Sequence, residues 1–89
     1  VVKITDVMIY NIIKNNDVNM LKCLIKQCHC NLKPNYLYLS IMYKNYDIAI
    51  CLIENDLKIN DVIFNSNQEI KRYDEFVIYS RRIKLKQII

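Results

Sequence analysis

The chain has 89 residues, 53% hydrophobic and 25% charged, with a formal net charge of +4; this allows one small globular domain around one core and excludes a disordered chain. It has no glycine and a single histidine, His29. The first absence excludes P-loop and dinucleotide-binding fingerprints, whose backbone must approach phosphate without a Cβ, and the second excludes a paired-histidine zinc-protease helix. A serine–histidine–acid triad would have to run through His29, so neither catalysis nor a cofactor is expected. The longest apolar run, residues 48–53, has six members against the roughly 20 that cross a bilayer, so no membrane span is expected. The first residue is Val and no signal-peptide pattern follows it, which reads as a piece of a longer polypeptide. Cys23, Cys28, Cys30 and Cys51 come with no sign of secretion, so reduced thiols and an intracellular, cytoplasmic setting are expected.

Taken along the chain, the first feature is a repeat. Residues 9–26 lie over residues 37–54 without a gap, a displacement of 28, matching Tyr10 to Tyr38, Ile13 to Ile41, Met20 to Ile48, Cys23 to Cys51, Leu24 to Leu52 and Ile25 to Ile53. Self-similarity at a fixed period signals a stacked architecture. Within the first copy, Ile9, Ile12 and Ile13 form one helical stripe, and Val18, Leu21, Leu24 and Ile25 resume it after a polar break at residues 14–17. Asparagines in that break suit a tight turn because Asn tolerates left-handed backbone. Residues 28–35 read as the linker to the second copy, with Pro34 poised to start a helix. The units are thus about 7–34 and 35–62, each a helix, a turn and a helix. From Asp61 onward the pattern weakens. Val62, Ile63 and Phe64 open a degenerate capping unit over 63–89, with Ile70, Tyr73, Val77 and Ser80 or Arg81 on one side of a helix from about Gln68. A terminal unit needs a polar outer face, which Lys71, Arg72, Arg81, Arg82, Lys84 and Lys86 supply.

Residues 35–40, Asn-Tyr-Leu-Tyr-Leu-Ser, share the leucine of the ankyrin opening T-P-L-H-x-A. Residues 45–56 match that repeat's second helix and its Leu-Leu pair, and Leu57-Lys58-Ile59-Asn60 stand where it has Ala-Asp-Val-Asn. On these residues, and on Val18, Met20, Leu21, Leu24 and Ile25 of the first copy, the chain resembles the ankyrin-repeat family over about 7–60. It departs from the family in its period, 28 residues against about 33, which implies a shortened hairpin loop. Cys28 and Asp56 replace the helix-terminating glycine, and Tyr10 and Tyr38 replace the histidine that ties neighbouring repeats. The resemblance implies an all-α fold, a stacked helix-turn-helix solenoid of about two to three repeats forming one domain over 1–89, as part of a longer array. It further implies a non-catalytic protein–protein interaction module whose surface lies on hairpin tips and inner helices. Lys14, Asn15, Met42 and Tyr43 at the ends of the first helices, and Asn31, Lys33, Asn60 and Asp61 in the loops, are the candidates. Ile, Asn, Lys and Tyr number 16, 11, 10 and 7, all residues with AT-rich codons. With that bias the chain looks most like the divergent ankyrin proteins of poxviruses and similar large DNA viruses, which implies a host protein as partner.

Three sharper readings compete with ordinary ones. Cys23, Cys28, His29 and Cys30 are chemically fit to bind zinc, but no C-x-x-C pair exists and Cys23 belongs to the packed stripe; core cysteines plus an exposed loop thiol, and no metal, are expected. Residues 69–89 carry a net charge of +3 against +1 for the preceding 68, which suits nucleic acid, an acidic protein or a structural assembly contact, yet an ordinary solvated cap needs the same residues. Seven tyrosines, among them Tyr36, Tyr38 and Tyr43, suit an interface, and codon bias explains their number equally well.

Overall fold

The computed structural model describes residues 3–83. Thr5 opens the first helix: its hydroxyl accepts from the Met8 backbone N–H at 3.3 Å, and α1 (Asp6–Lys14) follows. Asp17 does the same for α2 (Val18–Cys28), its carboxylate accepting from the Met20 N–H at 3.1 Å. In both, a side-chain oxygen satisfies an amide that has no partner within the helix. α3 (Pro34–Met42) needs no such cap, because Pro34 stands in its first turn with φ already fixed and no N–H to satisfy. α4 (Tyr46–Glu54) follows a turn, then a short 3-10 turn at Ile59–Asp61. α5 (Asn67–Arg82) begins with a capping box, Ser66 Oγ accepting from the Glu69 N–H at 3.1 Å.

The sequence repeat is literal in the backbone. α1 starts at Asp6 and α3 at Pro34, α2 at Val18 and α4 at Tyr46, so both helices of the unit recur at the displacement of the sequence copies. The turns that follow α1 and α3 use the same bonds: Asn16 N–H to Ile13 C=O and Asp17 N–H to Ile12 C=O in one, Lys44 N–H to Ile41 C=O and Asn45 N–H to Ser40 C=O in the other. These are Schellman closures, which require a left-handed residue after the helix, usually glycine. With no glycine in the chain, Asn16 (φ 54°) and Lys44 (φ 61°) take that place, and Asp56 (φ 78°) takes it after α4. After α2 the left-handed residue is His29 (φ 49°) rather than Cys28, which the repeat alignment pointed to; α2 runs on to Cys28, so the break falls one residue later.

α1 packs on α2 and α3, α2 on α4, α3 on α4 and α5, and α4 on α5. The second helix pair therefore lies between the first pair and α5. Its position explains the core: residues 48–53 are all buried, together with Tyr36, Leu37, Ser40 and Ile41, whereas α2 buries only Leu21 completely. Phe76 of α5 closes the other side, its ring 5.5 Å from that of Tyr46.

Among the described residues the fold is all-helical, and the structure corrects two details of the sequence reading. The region after residue 62 holds one uninterrupted helix, α5, following the two helix pairs. The buried stripe of α5 runs through Phe76 and Ser80 with Tyr73 and Tyr79 half-buried, and Ile70 is 43% exposed. Aromatic rings meeting Tyr46 bury more area than Ile70 offers, and they set the rotation of the helix. Cys23 is exposed although its repeat partner Cys51 is buried, because no described element covers that side of α2.

Candidate protein-interaction surface

Side chains crossing between units hold the stack in register. Tyr10 and Tyr38, the repeat-equivalent pair, both reach forward: Asn35 Nδ2 donates to the Tyr10 hydroxyl at 3.2 Å, and the Tyr38 hydroxyl donates to Glu69 at 3.0 Å. Lys33 Nζ donates to both oxygens of Asp6 at 2.9 and 3.2 Å, and the Tyr36 hydroxyl donates to the same carboxylate. Asn45 Nδ2 donates to the carbonyl of Ile13, fixing the second turn against the end of α1. Tyr79 donates to Asp47, joining α5 to α4. The Tyr36 hydroxyl and then the Lys33 ammonium hold the Asp6 carboxyl below the usual carboxylate range. Burial, reinforced by Asp6, pushes the Tyr36 hydroxyl well above the ordinary phenol value.

Tyr38 also begins a run of rings. It stacks on Phe64 with centroids 6.0 Å apart, and Phe64 stacks on Tyr73 at 4.9 Å. That run pins the segment between the 3-10 turn and α5. Val62 is extended (φ −102°, ψ 134°), and extended backbone sends alternate side chains to opposite sides. Val62 and Phe64 accordingly pack inward while Ile63 points out, 73% exposed.

Ile63 stands at the lip of an open groove of about 450 Å³ lined by Pro34, Asn35, Tyr38, Asp61, Val62, Asn65 and Glu69. Its walls mix an exposed aliphatic side chain, an aromatic ring and two carboxylates. Hydrogen bonds from Ser66 and then Tyr38 hold the Glu69 carboxyl below its usual range, so it is ionised at neutral pH. The groove can seat an apolar side chain beside a cationic or amide donor.

The predicted site residues divide around this groove. Asp61 lines it, and Asn60 lines the adjoining depression with Asp56, Lys58 and Ile59. Lys33 is committed to Asp6 at the foot of α3. Lys14, Asn15 and Tyr43 are exposed at the far ends of α1 and α3, and Met42 packs half-buried on the core. α3 separates Tyr43 from Pro34 by roughly 13 Å at the helical rise, so these residues form a second surface rather than part of the groove. Asn31 is exposed in the linker. Sequence reasoning missed Ile63, Tyr38 and Glu69 as a group, because Val62, Ile63 and Phe64 are apolar in succession and carry no alternation that would have turned Ile63 outward.

On α5, Lys71, Arg81 and Arg82 are exposed and Arg72 is half-buried, while Lys84 and Lys86 lie outside the described residues. Glu69, Asp74 and Glu75 interleave with them. Among the described residues no group of three or more His, Cys, Asp or Glu side chains is placed to hold a metal, and no helix is long and apolar enough to cross a membrane. Burial pushes the Cys30 and Cys51 thiols up, opposite to what an activated nucleophile requires.

Compared with known proteins, the chain matches no family model, no curated protein and no solved structure.

Proposed function

We propose that this chain is a non-catalytic protein-recognition module, an ankyrin-like stack that seats an extended segment of a partner protein in the groove between the start of α3 and the start of α5. Two units with matching helix starts and the same turn hydrogen bonds, one repeat period apart, support the ankyrin-like reading. Repeat stacks of this kind act as rigid scaffolds whose core positions set the fold and whose surface positions set specificity. On the viral reading of the composition, the partner is a protein of the host cell.

The observation that carries the proposal is Ile63. A large aliphatic side chain that is 73% exposed, on a segment held rigid by the stacked Phe64 ring, costs little ordering entropy on binding and gains the apolar area that a partner covers. Tyr38 adds an amphipathic surface beside it, and Asp61 and Glu69 select a partner segment with a donor or cation next to its apolar anchor.

Affinity capture from cell lysate at low and high salt, with nuclease-treated controls and an Ile63→Glu variant, tests this. The proposal expects a discrete protein retained in high salt by the natural chain and lost from Ile63→Glu, whose circular dichroism is unchanged because residue 63 is exposed. Retention equal in both chains would refute the groove. Recovery that vanishes with nuclease or modest salt, and with Arg81 and Arg82 changed to Ala, would move function to the basic face of α5.

A further inference from the structure

The loop that forms one wall of the groove has the properties of a strand without a partner. Val62 is extended (φ −102°, ψ 134°), and so is Ser66 (φ −99°, ψ 161°). Along this segment Val62 and Phe64 are half-buried while Ile63 and Asn65 are exposed, the alternation of a pleated backbone. The Phe64 ring is fixed between Tyr38 and Tyr73, yet among the described residues the main-chain N–H and C=O groups of Ile63 and Phe64 make no hydrogen bond. An extended segment held in place by its side chains, with its main chain unpaired, is a template on which another extended chain adds.

Charge selects the kind of chain. The protein carries a formal net charge of +4, but no Lys, Arg or His lines the groove and two carboxylates do. They stand at the two ends of the segment: Asp61 at its start, and Glu69 at its end, where the Asn65 backbone nitrogen lies 3.5 Å from Glu69 Oε1. Lys33, which precedes Pro34, is held by Asp6 at 2.9 Å, and neither Asp61 nor Glu69 has an ion-pair partner among the described residues. Positions 61 and 65 are separated by about 13 Å at the strand rise, with Ile63 midway. A strand laid along this wall meets acid, aliphatic and acid in order, and side chains at alternate positions of a strand share one side. Its complement is therefore a cation, an aliphatic residue and a cation at every second position.

We infer that the groove takes a basic extended segment by strand addition: the main chain of the segment pairs with residues 62–65, its central aliphatic side chain covers Ile63, and a Lys or Arg two residues to either side meets Asp61 and Glu69. The inference rests on the recognition reading of the same groove and adds to it the chemistry of the occupant. A helical partner does not fit, because its main-chain groups are already bonded within the helix.

Titration of the isotope-labelled 89-residue chain with blocked synthetic peptides, followed by backbone amide shifts, tests this. The probes are Thr-Lys-Thr-Val-Thr-Lys-Thr, the same sequence with Glu for both Lys, and the lysine peptide N-methylated on the Thr, Val and Thr between its lysines. The lysine peptide is expected to shift the amides of Ile63, Phe64 and Asn65 and to slow hydrogen exchange at Ile63 or Phe64. The glutamate peptide is expected to bind about tenfold more weakly or worse, and so is the N-methylated peptide, which keeps its charges and its valine and loses its donors. Asp61→Asn, a change at an exposed residue, should narrow the gap between the lysine and glutamate peptides. Equal binding of the N-methylated peptide overturns the main-chain pairing and leaves side-chain recognition in the groove standing; equal binding of the glutamate peptide overturns the basic occupant. Shifts confined to residues outside 61–69, or no shifts with any peptide at millimolar concentration, overturn the inference as a whole, while capture with Ile63→Glu still decides the recognition reading by itself.

Discussion

The first helix pair and the second carry Leu24 and Leu52, Ile25 and Ile53, and Cys23 and Cys51 at matching positions, yet only the second pair buries all three. Their local rules are the same: equal helix starts, equal turn bonds, the same stripe. What differs is neighbours. α4 packs on α2, α3 and α5, while α2 packs on α1 and α4. In these two helix pairs the local sequence decides which residues form the apolar stripe, and the elements packed against each pair decide how much of it leaves water.

The largest test of this contrast is a matched truncation. Leu52→Ala should destabilise the chain by about 3 kcal/mol, a fully enclosed leucine leaving a cavity, and Leu24→Ala by about 1 kcal/mol, a half-exposed side chain whose site can collapse. Urea denaturation of the two variants measures both; equal losses would erase the difference between the pairs. The cysteines sharpen the same contrast: Cys51→Ser places a hydroxyl in an apolar site and should cost about 1–2 kcal/mol, while Cys23→Ser should leave the urea midpoint unchanged.

The turns, where the two units agree, should respond in the same direction. Lys44→Gly removes the Cβ penalty of a left-handed backbone and should stabilise by about 1 kcal/mol; Asn16→Gly should gain less, because Asn tolerates that conformation. A loss of stability in Lys44→Gly would contradict the left-handed assignment. The smallest effect is on pH dependence. Asp6 and Glu69 have depressed folded-state values, so their contribution is present above the unfolded carboxylate value and lost as pH falls through the folded one. Stability should decline below about pH 4, and Asp6→Asn should make that decline shallower. Tyr36 runs the other way: its raised folded value gives stability that is intact below the unfolded phenol value and lost above about pH 10, a limb that Tyr36→Phe should flatten. Thermal midpoints across pH read both limbs.

Much of the fold was legible in the sequence. The constant displacement between the two copies placed both helix pairs, the break at 14–17 placed the first turn, and the α5 start at Gln68 fell one residue from its observed place. The rest depended on packing between units. Cys23 and Cys51 are the same residue in the same stripe, so no local pattern could separate them. Phe76 took the centre of the α5 interface from Ile70 because Tyr46 waits there, a contact between elements far apart in the chain. Of the groove's lining, the family resemblance singles out only Asp61, and Ile63 joins Tyr38 and Glu69 only after the ring stack of Tyr38, Phe64 and Tyr73 brings the loop to α3.

Hydrogen exchange of the 89-residue chain at low micromolar concentration, resolved by segment, tests the unequal burial of the two units most directly. The expected result is slowest exchange in α3 and α4, with α2 exchanging measurably faster than α4 despite its matching sequence. Equal protection of α2 and α4, or slower exchange in α2, would contradict it.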